Sequence, residues 1–189
     1  QSMAILSLNF ISSGKSCLCN LISILINRYI YMKNQDSILI FGSSGQIGKS
    51  LIRKFTKNNY RVIAVTRSIH RKGYQIKTQS NYGYLELEEI SSFKEEVISQ
   101  LMQRSSICIN LIGILYEKKQ NDFNLIHSDL PSLLSNLALK NSLEQFINLS
   151  ALGIEEPRDS KYADSKLNGE KKIIKNFKNH IILKPSIVY

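Results

Sequence analysis

Cysteine is scarce: Cys17, Cys19 and Cys108 give no paired framework, and no His/Cys ligand cluster accompanies them. A disulfide scaffold and a structural metal are therefore not expected, and a reducing compartment is the default. Acidic residues are missing altogether from positions 1 to 31, where the only charges are Lys15 and Arg28. The apolar stretch in that segment, Leu18 to Ile26, is interrupted by Asn20 and is too short to span a membrane. A clear small-residue cleavage site of a secretory signal is also lacking, whereas a basic, Ser-containing, acid-free segment fits a transit peptide as well. The chain starts at Gln1, while Met32 stands just before the first apolar strand, as a natural start would. Residues 1–31 are thus expected to lie outside the folded domain, as a targeting segment or as sequence foreign to the protein, and residues 32–189 to form one domain.

A basic stripe interleaved with aromatics is missing too. Lys and Arg together number 25 against 15 acids, a formal charge of +10, but the Lys residues are scattered over presumed helix faces. A solvated Lys-rich surface accounts for that charge, so nucleic acid is not an expected partner. With 43% hydrophobic and 21% charged residues, the composition is that of an ordinary soluble globular protein, and a cytoplasmic location is the expectation.

One glycine is missing where it would matter most. "FGSSGQIGKS", residues 41 to 50, ends like a P-loop, but the first Gly of that loop falls on Ser43. The second "SGKS", Ser13 to Ser16, has Asn9 at that position. Spaced as Gly42, Gly45 and Gly48, the stretch instead has the regular glycines of a dinucleotide-binding turn. Its flanks agree. Ile38 to Phe41 is a continuous apolar run of the kind a buried parallel strand shows, and after Ile47 the apolar residues Leu51, Ile52 and Phe55 fall on one helix face. Glycines admit the phosphates close to the backbone, and the helix start at Gln46 and Ile47 presents free amides and a positive dipole end.

The same alternation continues along the chain. Strands are predicted over Arg61 to Thr66, Tyr82 to Leu87, Ser106 to Ile112, Gln145 to Leu149 and Ile181 to Leu183. Phe93, Val97, Ile98 and Leu101 mark a helix face, as do Phe123, Ile126, Leu130, Leu133, Leu134 and Leu137, with Pro131 at a kink or a new first turn. Strands alternating with helices predict a doubly wound α/β fold, a parallel sheet of Rossmann type with its ligand at the carboxyl ends of the strands. The residue after the second strand is Arg67, where an NAD enzyme usually has an acid for the ribose hydroxyl. A guanidinium there pairs with a 2′-phosphate, so NADP(H) is the preferred cofactor and NAD(H) the alternative.

"SKYADSK" places Tyr162 and Lys166 one turn apart on a helix. An ammonium beside a phenol favours its ionised form, which would let Tyr162 exchange a proton with a substrate oxygen. The spacing alone is cheap, since Tyr29 and Lys33 repeat it. Position distinguishes Tyr162: it follows the fifth strand, whose end carries Ser150, a donor for a reacting oxygen.

These residues resemble the short-chain dehydrogenase/reductases, and the glycine spacing is similar to that of the extended and atypical branches that hold NAD-dependent epimerase/dehydratase-like proteins. "NLIGILYE" from Asn110, "FNLIHSDLPSLLSNLA" from Phe123, "NLSALGIE" from Asn148, "YADSKLNGE" from Tyr162 and "LKPSIVY" from Leu183 are similar to the branch of the NADPH-binding accessory subunit of respiratory complex I and its bacterial relatives. The resemblance covers residues 36–189. It implies a triad of Ser150, Tyr162 and Lys166, and cofactor contacts from Gly42, Gly45, Gly48, Arg67, Gly113 and Pro185. Subunits of a respiratory membrane complex are the partners it implies, with a place at the inner face of that membrane. Members of this family continue into a smaller substrate-binding domain, so the chain is expected to be truncated after Tyr189. His127 stands where active extended members more often have Asn, and the complex I-like branch resembles this chain there. Two readings stay open: a nucleotide held for structure or assembly, and an active oxidoreductase or epimerase.

Overall fold

The computed structural model describes Asn20, Ile22 and residues 37–155 and 160–186. Six parallel strands form one sheet: β1 (Ser37–Phe41), β2 (Arg61–Thr66), β3 (Leu85–Glu89), β4 (Ile107–Asn110), β5 (Gln145–Leu149) and β6 (His180–Leu183). Their spatial order is β3-β2-β1-β4-β5-β6, so the chain leaves β1 toward one edge and returns to start β4 on its other side. The crevice opened by that reversal lies between the carboxyl ends of β1 and β4 and is the place where doubly wound sheets bind ligands.

Period-two alternation assigns the side chains of each strand to the two faces. Ile38 and Ile40 of β1 join Val62, Ala64, Ile107, Ile109, Ile147 and Ile181 on one face, covered by Leu51, Ile52 and Phe55 of α1 (Gln46–Lys57) and by Ile76 of α2 (Ile69–Lys77). Ile22, from the acid-free segment, is buried in the same cluster. Leu39 and Phe41 point the other way with Ile63, Val65, Cys108, Phe146 and Ile182. That face receives α3 (Glu95–Gln103), α5 (Leu130–Lys140) and α6 (Lys161–Asn176) through Ile98, Leu101, Leu134, Leu137 and Ile173.

β2 and β5 run as the sequence pattern places them. The third strand does not: it starts at Leu85, not Tyr82, because Gly83 turns with φ +83° and leaves Tyr82 fully exposed. Helix α2 escapes the periodicity altogether, since only Gly73 and Ile76 of its nine residues are buried. The long helix predicted around Pro131 is present with an interruption. A short α4 (Asp122–Asn124) leads into a π-helical segment, Leu125–Asp129, in which Leu130 N–H bonds to Leu125 O five residues back, and α5 follows. Pro131 has no N–H for the carbonyl of His127 four residues earlier, which removes one α-helical bond from that turn.

Candidate functional site at the carboxyl edge of the sheet

The glycine turn decides between the two loops. Gly42 takes φ +80°, and a Cβ on it would stand 3.0 Å from Leu111 C. A Cβ on Gly48 would stand 2.6 Å from Gly42 O and 2.7 Å from Ser43 O, so the third glycine is what lets α1 pack against the end of β1. Ser43, at the position where a P-loop needs Gly, is buried and donates its hydroxyl to Val65 O on β2 at 2.6 Å. The turn is built as a dinucleotide-binding turn is built. Helix α1 begins after its N-cap Gly45, with no side-chain cap and no acid in its first turn, so no side chain of that turn opposes an anion at its leading amides and dipole end.

A cleft of about 270 Å³ runs along this edge. Gly42 and Gly45 lie at its middle, Arg67, Ile90 and Phe93 at the β2 side, and Leu111 to Ile114 at the β4 side. Arg67 is exposed at the end of β2 and directly precedes α2, which Ser68 caps through Arg71 N. Gln46 and Ile47 stand at the start of α1 rather than among the cleft's lining residues, where Ser44 appears instead.

Beyond Gly113 the cleft meets the candidate triad. Lys166 is buried and its Nζ donates to Leu149 O at 3.2 Å, which ties α6 to the end of β5 one residue before Ser150. A Cβ on Gly113 would stand 3.6 Å from that Nζ. Burial pushes Lys166 down to about 8, against the opposing influence of Glu170. Tyr162 is half-buried, with Lys166 Nζ 5.8 Å from its ring centroid, and burial holds its phenol above the ordinary value. Ser150 is fixed through its amide, which donates to Leu183 O at 2.7 Å, while its Oγ is buried with no hydrogen-bond partner. A buried hydroxyl left without a partner is one that an incoming polar atom would satisfy. Pro185 follows β6 and accepts from Leu152 N at 2.9 Å, bracing the loop after Ser150 from outside the cleft.

Sequence reasoning missed the polar frame behind these residues. His127 is buried on the π turn; its Nε2 accepts from Ile114 N at 3.1 Å, and its Nδ1 lies 3.0 Å from Ser165 Oγ. Since a backbone amide can only donate, the proton of the neutral ring resides on Nδ1 and goes to Ser165 Oγ, whose own hydroxyl donates to Tyr162 O at 2.8 Å. Burial, assisted by the charge of Lys166, pushes His127 down to about 4 and keeps it neutral. Its ring stacks on Phe123 and meets Tyr162 edge-on, at 5.5 and 5.2 Å between centroids. Asn110 and Asn148, side by side at the ends of β4 and β5, are a second such pair, with Asn110 Nδ2 donating to Asn148 Oδ1 at 2.7 Å. Farther back, Lys184 pairs with Glu170 Oε2 at 2.9 Å and with Glu155, and these bonds hold its ammonium above the ordinary lysine value despite burial.

The sequence pattern of the NmrA-like family matches residues 34–128. The mitochondrial NADH dehydrogenase (ubiquinone) 1 alpha subcomplex subunit 9 of Mus musculus is 26% identical over 150 residues, 79% of this chain and 40% of the relative. The mitochondrial NADH-ubiquinone oxidoreductase 40 kDa subunit of Neurospora crassa is 21% identical over the same length, with the same coverage of 79% and 40%. The chain therefore spans about two fifths of these relatives. Among solved structures, the UDP-glucuronic acid 4-epimerase of Bacillus cereus, in complex with NAD, superimposes with a TM-score of 0.66 at 21% identity, covering 81% of this chain and 57% of the epimerase. An oxidoreductase of Lactococcus lactis gives a TM-score of 0.62 at 19% identity, covering 79% and 68%. At these identities the two structures show a common fold.

Proposed function

The chain belongs to the NmrA-like family, and from that premise we propose that it binds NADP(H) and holds it chiefly for the stability or assembly of a respiratory membrane complex. The observation that carries the nucleotide is the Gly42, Gly45 and Gly48 turn, closed on a helix start that offers free amides and no acid. Gly45, Gln46 and Ile47 would take the pyrophosphate there. Arg67, with no carboxylate at the end of β2 to take its place, favours the 2′-phosphate of NADP(H) over the bare hydroxyl of NAD(H). The neighbouring epimerase structure holds NAD in a fold of the same kind, and the matched mitochondrial relatives carry the names of subunits of an NADH-ubiquinone oxidoreductase. Partnership with such a complex, and a place at the inner face of a respiratory membrane, follow on this reading.

An active oxidoreductase or epimerase is the second reading, and the orphaned Ser150 Oγ favours it. Ser150 would donate to the substrate oxygen, Tyr162 would exchange its proton with that oxygen, and Lys166, 5.8 Å from the Tyr162 ring centroid and bonded to Leu149 O, would supply the positive charge that steadies them. The bound nicotinamide would supply the hydride chemistry.

Purification of the full-length protein, identification of any co-purifying nucleotide and measurement of its dissociation rate test both. NADPH that leaves over hours supports a structural cofactor. Exchange fast enough for turnover supports an enzyme, and a protein that neither holds nor binds a nicotinamide nucleotide refutes both readings.

A further inference from the structure

We infer that His127 is a positioning residue for the nicotinamide end of the cleft, an inference that rests on the nucleotide reading above. The segment from Leu111 to Ile114 forms that end, and Gly113 at its middle adjoins Lys166. Two buried side chains clamp it. Ile112 N donates to Asn110 Oδ1 at 3.2 Å, and Ile114 N donates to His127 Nε2 at 3.1 Å. Asn110 is held in turn by Asn148 at 2.7 Å, and His127 by Ser165 at 3.0 Å. Gly113 thus sits between two amides whose places are set by side chains from β4 and from the π turn.

The bonding fixes what this position requires. One side chain must accept at the loop and donate at Ser165, and a neutral imidazole or a carboxamide does both. Phenylalanine would keep the volume and the stacking on Phe123 but satisfy neither bond. The clamp holds the β4 side of the cleft, whereas Arg67 and Phe93 line its β2 side.

His127→Phe, His127→Gln and Ser165→Ala, each in the full-length chain, would be titrated with NADPH and with adenosine 2′,5′-bisphosphate, which lacks the nicotinamide half. The expected result for His127→Phe is NADPH binding weakened by about tenfold, the value of one lost buried hydrogen bond, with adenosine 2′,5′-bisphosphate within about twofold of wild type. His127→Gln should recover most of that loss. Ser165→Ala, which leaves the ring free to change tautomer and serves if the Phe variant does not fold, should show a smaller loss of about threefold confined to NADPH. Equal weakening of both ligands, or no change in NADPH, overturns the inference in favour of a general packing role. If the wild-type protein binds neither ligand, the nucleotide reading fails. Hydrogen exchange at the Ile114 amide then decides the clamp by itself. Slow exchange in wild type and His127→Gln with fast exchange in His127→Phe supports it, and one rate in all three overturns it.

Discussion

Replacing Gly48 with alanine tests the packing on which the nucleotide site stands. The added Cβ would lie 2.6 Å from Gly42 O, 2.7 Å from Ser43 O and 2.8 Å from Ser43 C. Carbon and oxygen atoms in close contact usually keep about 3.3 Å, so α1 must move by about 0.7 Å relative to the end of β1. All three obstructing atoms are backbone, and Ser43 is further held by its bond to Val65 O, so no rotamer change relieves the clash. Overpacking of this kind costs about 1–3 kcal/mol, and this site belongs at the upper end because nothing around it can yield. Alanine recovers about 1 kcal/mol as the better helix former, which leaves a net loss of about 1–2 kcal/mol. For a domain of this size that corresponds to a melting temperature lower by about 2–8 °C. Gly45→Ala is the control. Its Cβ would meet only Gly42 O, at 3.3 Å, and Gly45 has ordinary φ of −72°, so its stability should fall by less than about 1 kcal/mol. Calorimetry on both variants gives the comparison. A Gly48→Ala protein that melts within about 1 °C of wild type would refute the close-packing role assigned to that glycine.

Gly169→Ala should be more damaging, because its Cβ would fall 1.9 Å from His127 O and push α6 off the π turn; loss of cooperative unfolding by circular dichroism is expected. Lys184→Arg should stabilise by about 1 kcal/mol in urea unfolding, since Glu170 Oε1 is buried without a partner and a guanidinium fork reaches both carboxylate oxygens where an ammonium reaches one. Lys166 has the sign opposite to an ordinary stabilising ion: its folded value of about 8 lies below its usual 10.5, so its burial costs stability fully below pH 8 and less as pH rises toward 10.5. Lys166→Met should therefore gain stability at neutral pH, on the order of 3 kcal/mol before the lost bond to Leu149 is deducted, and that gain should shrink by pH 10. Arg67→Glu should weaken NADPH by about tenfold or more and NADH much less, measured by fluorescence titration, and equal effects on the two would remove Arg67 from 2′-phosphate recognition.

The strands of the sheet interior were legible because burial on both faces writes itself as continuous apolar runs: Ile38 to Phe41 and Val62 to Val65 show it at once. At the sheet edge that signal fails. β3 reads Leu-Glu-Leu-Glu-Glu, with Glu86 and Glu88 paired to Arg104 rather than buried, and its start is set by a glycine turn that no hydrophobic pattern records. The site divides in the same way. The residues that the fold brings to the carboxyl edge follow from the local rule that ligands bind where strands end, so Gly42, Arg67, Gly113 and Ser150 can be found by locating strand ends in the sequence. What sets their geometry is nonlocal. His127 meets Ile114 thirteen residues away and Ser165 thirty-eight residues away, across three elements, and does so only because Pro131 deprives its carbonyl of an α-helical partner while Gly169 leaves room for that carbonyl against α6. Neither Pro131 nor Gly169 is remarkable alone: a proline in a first turn and a glycine in a helix each have ordinary explanations. Only the close approach of two helices gives the pair one meaning, a turn widened and accommodated so that a neutral histidine can face the loop beside Lys166.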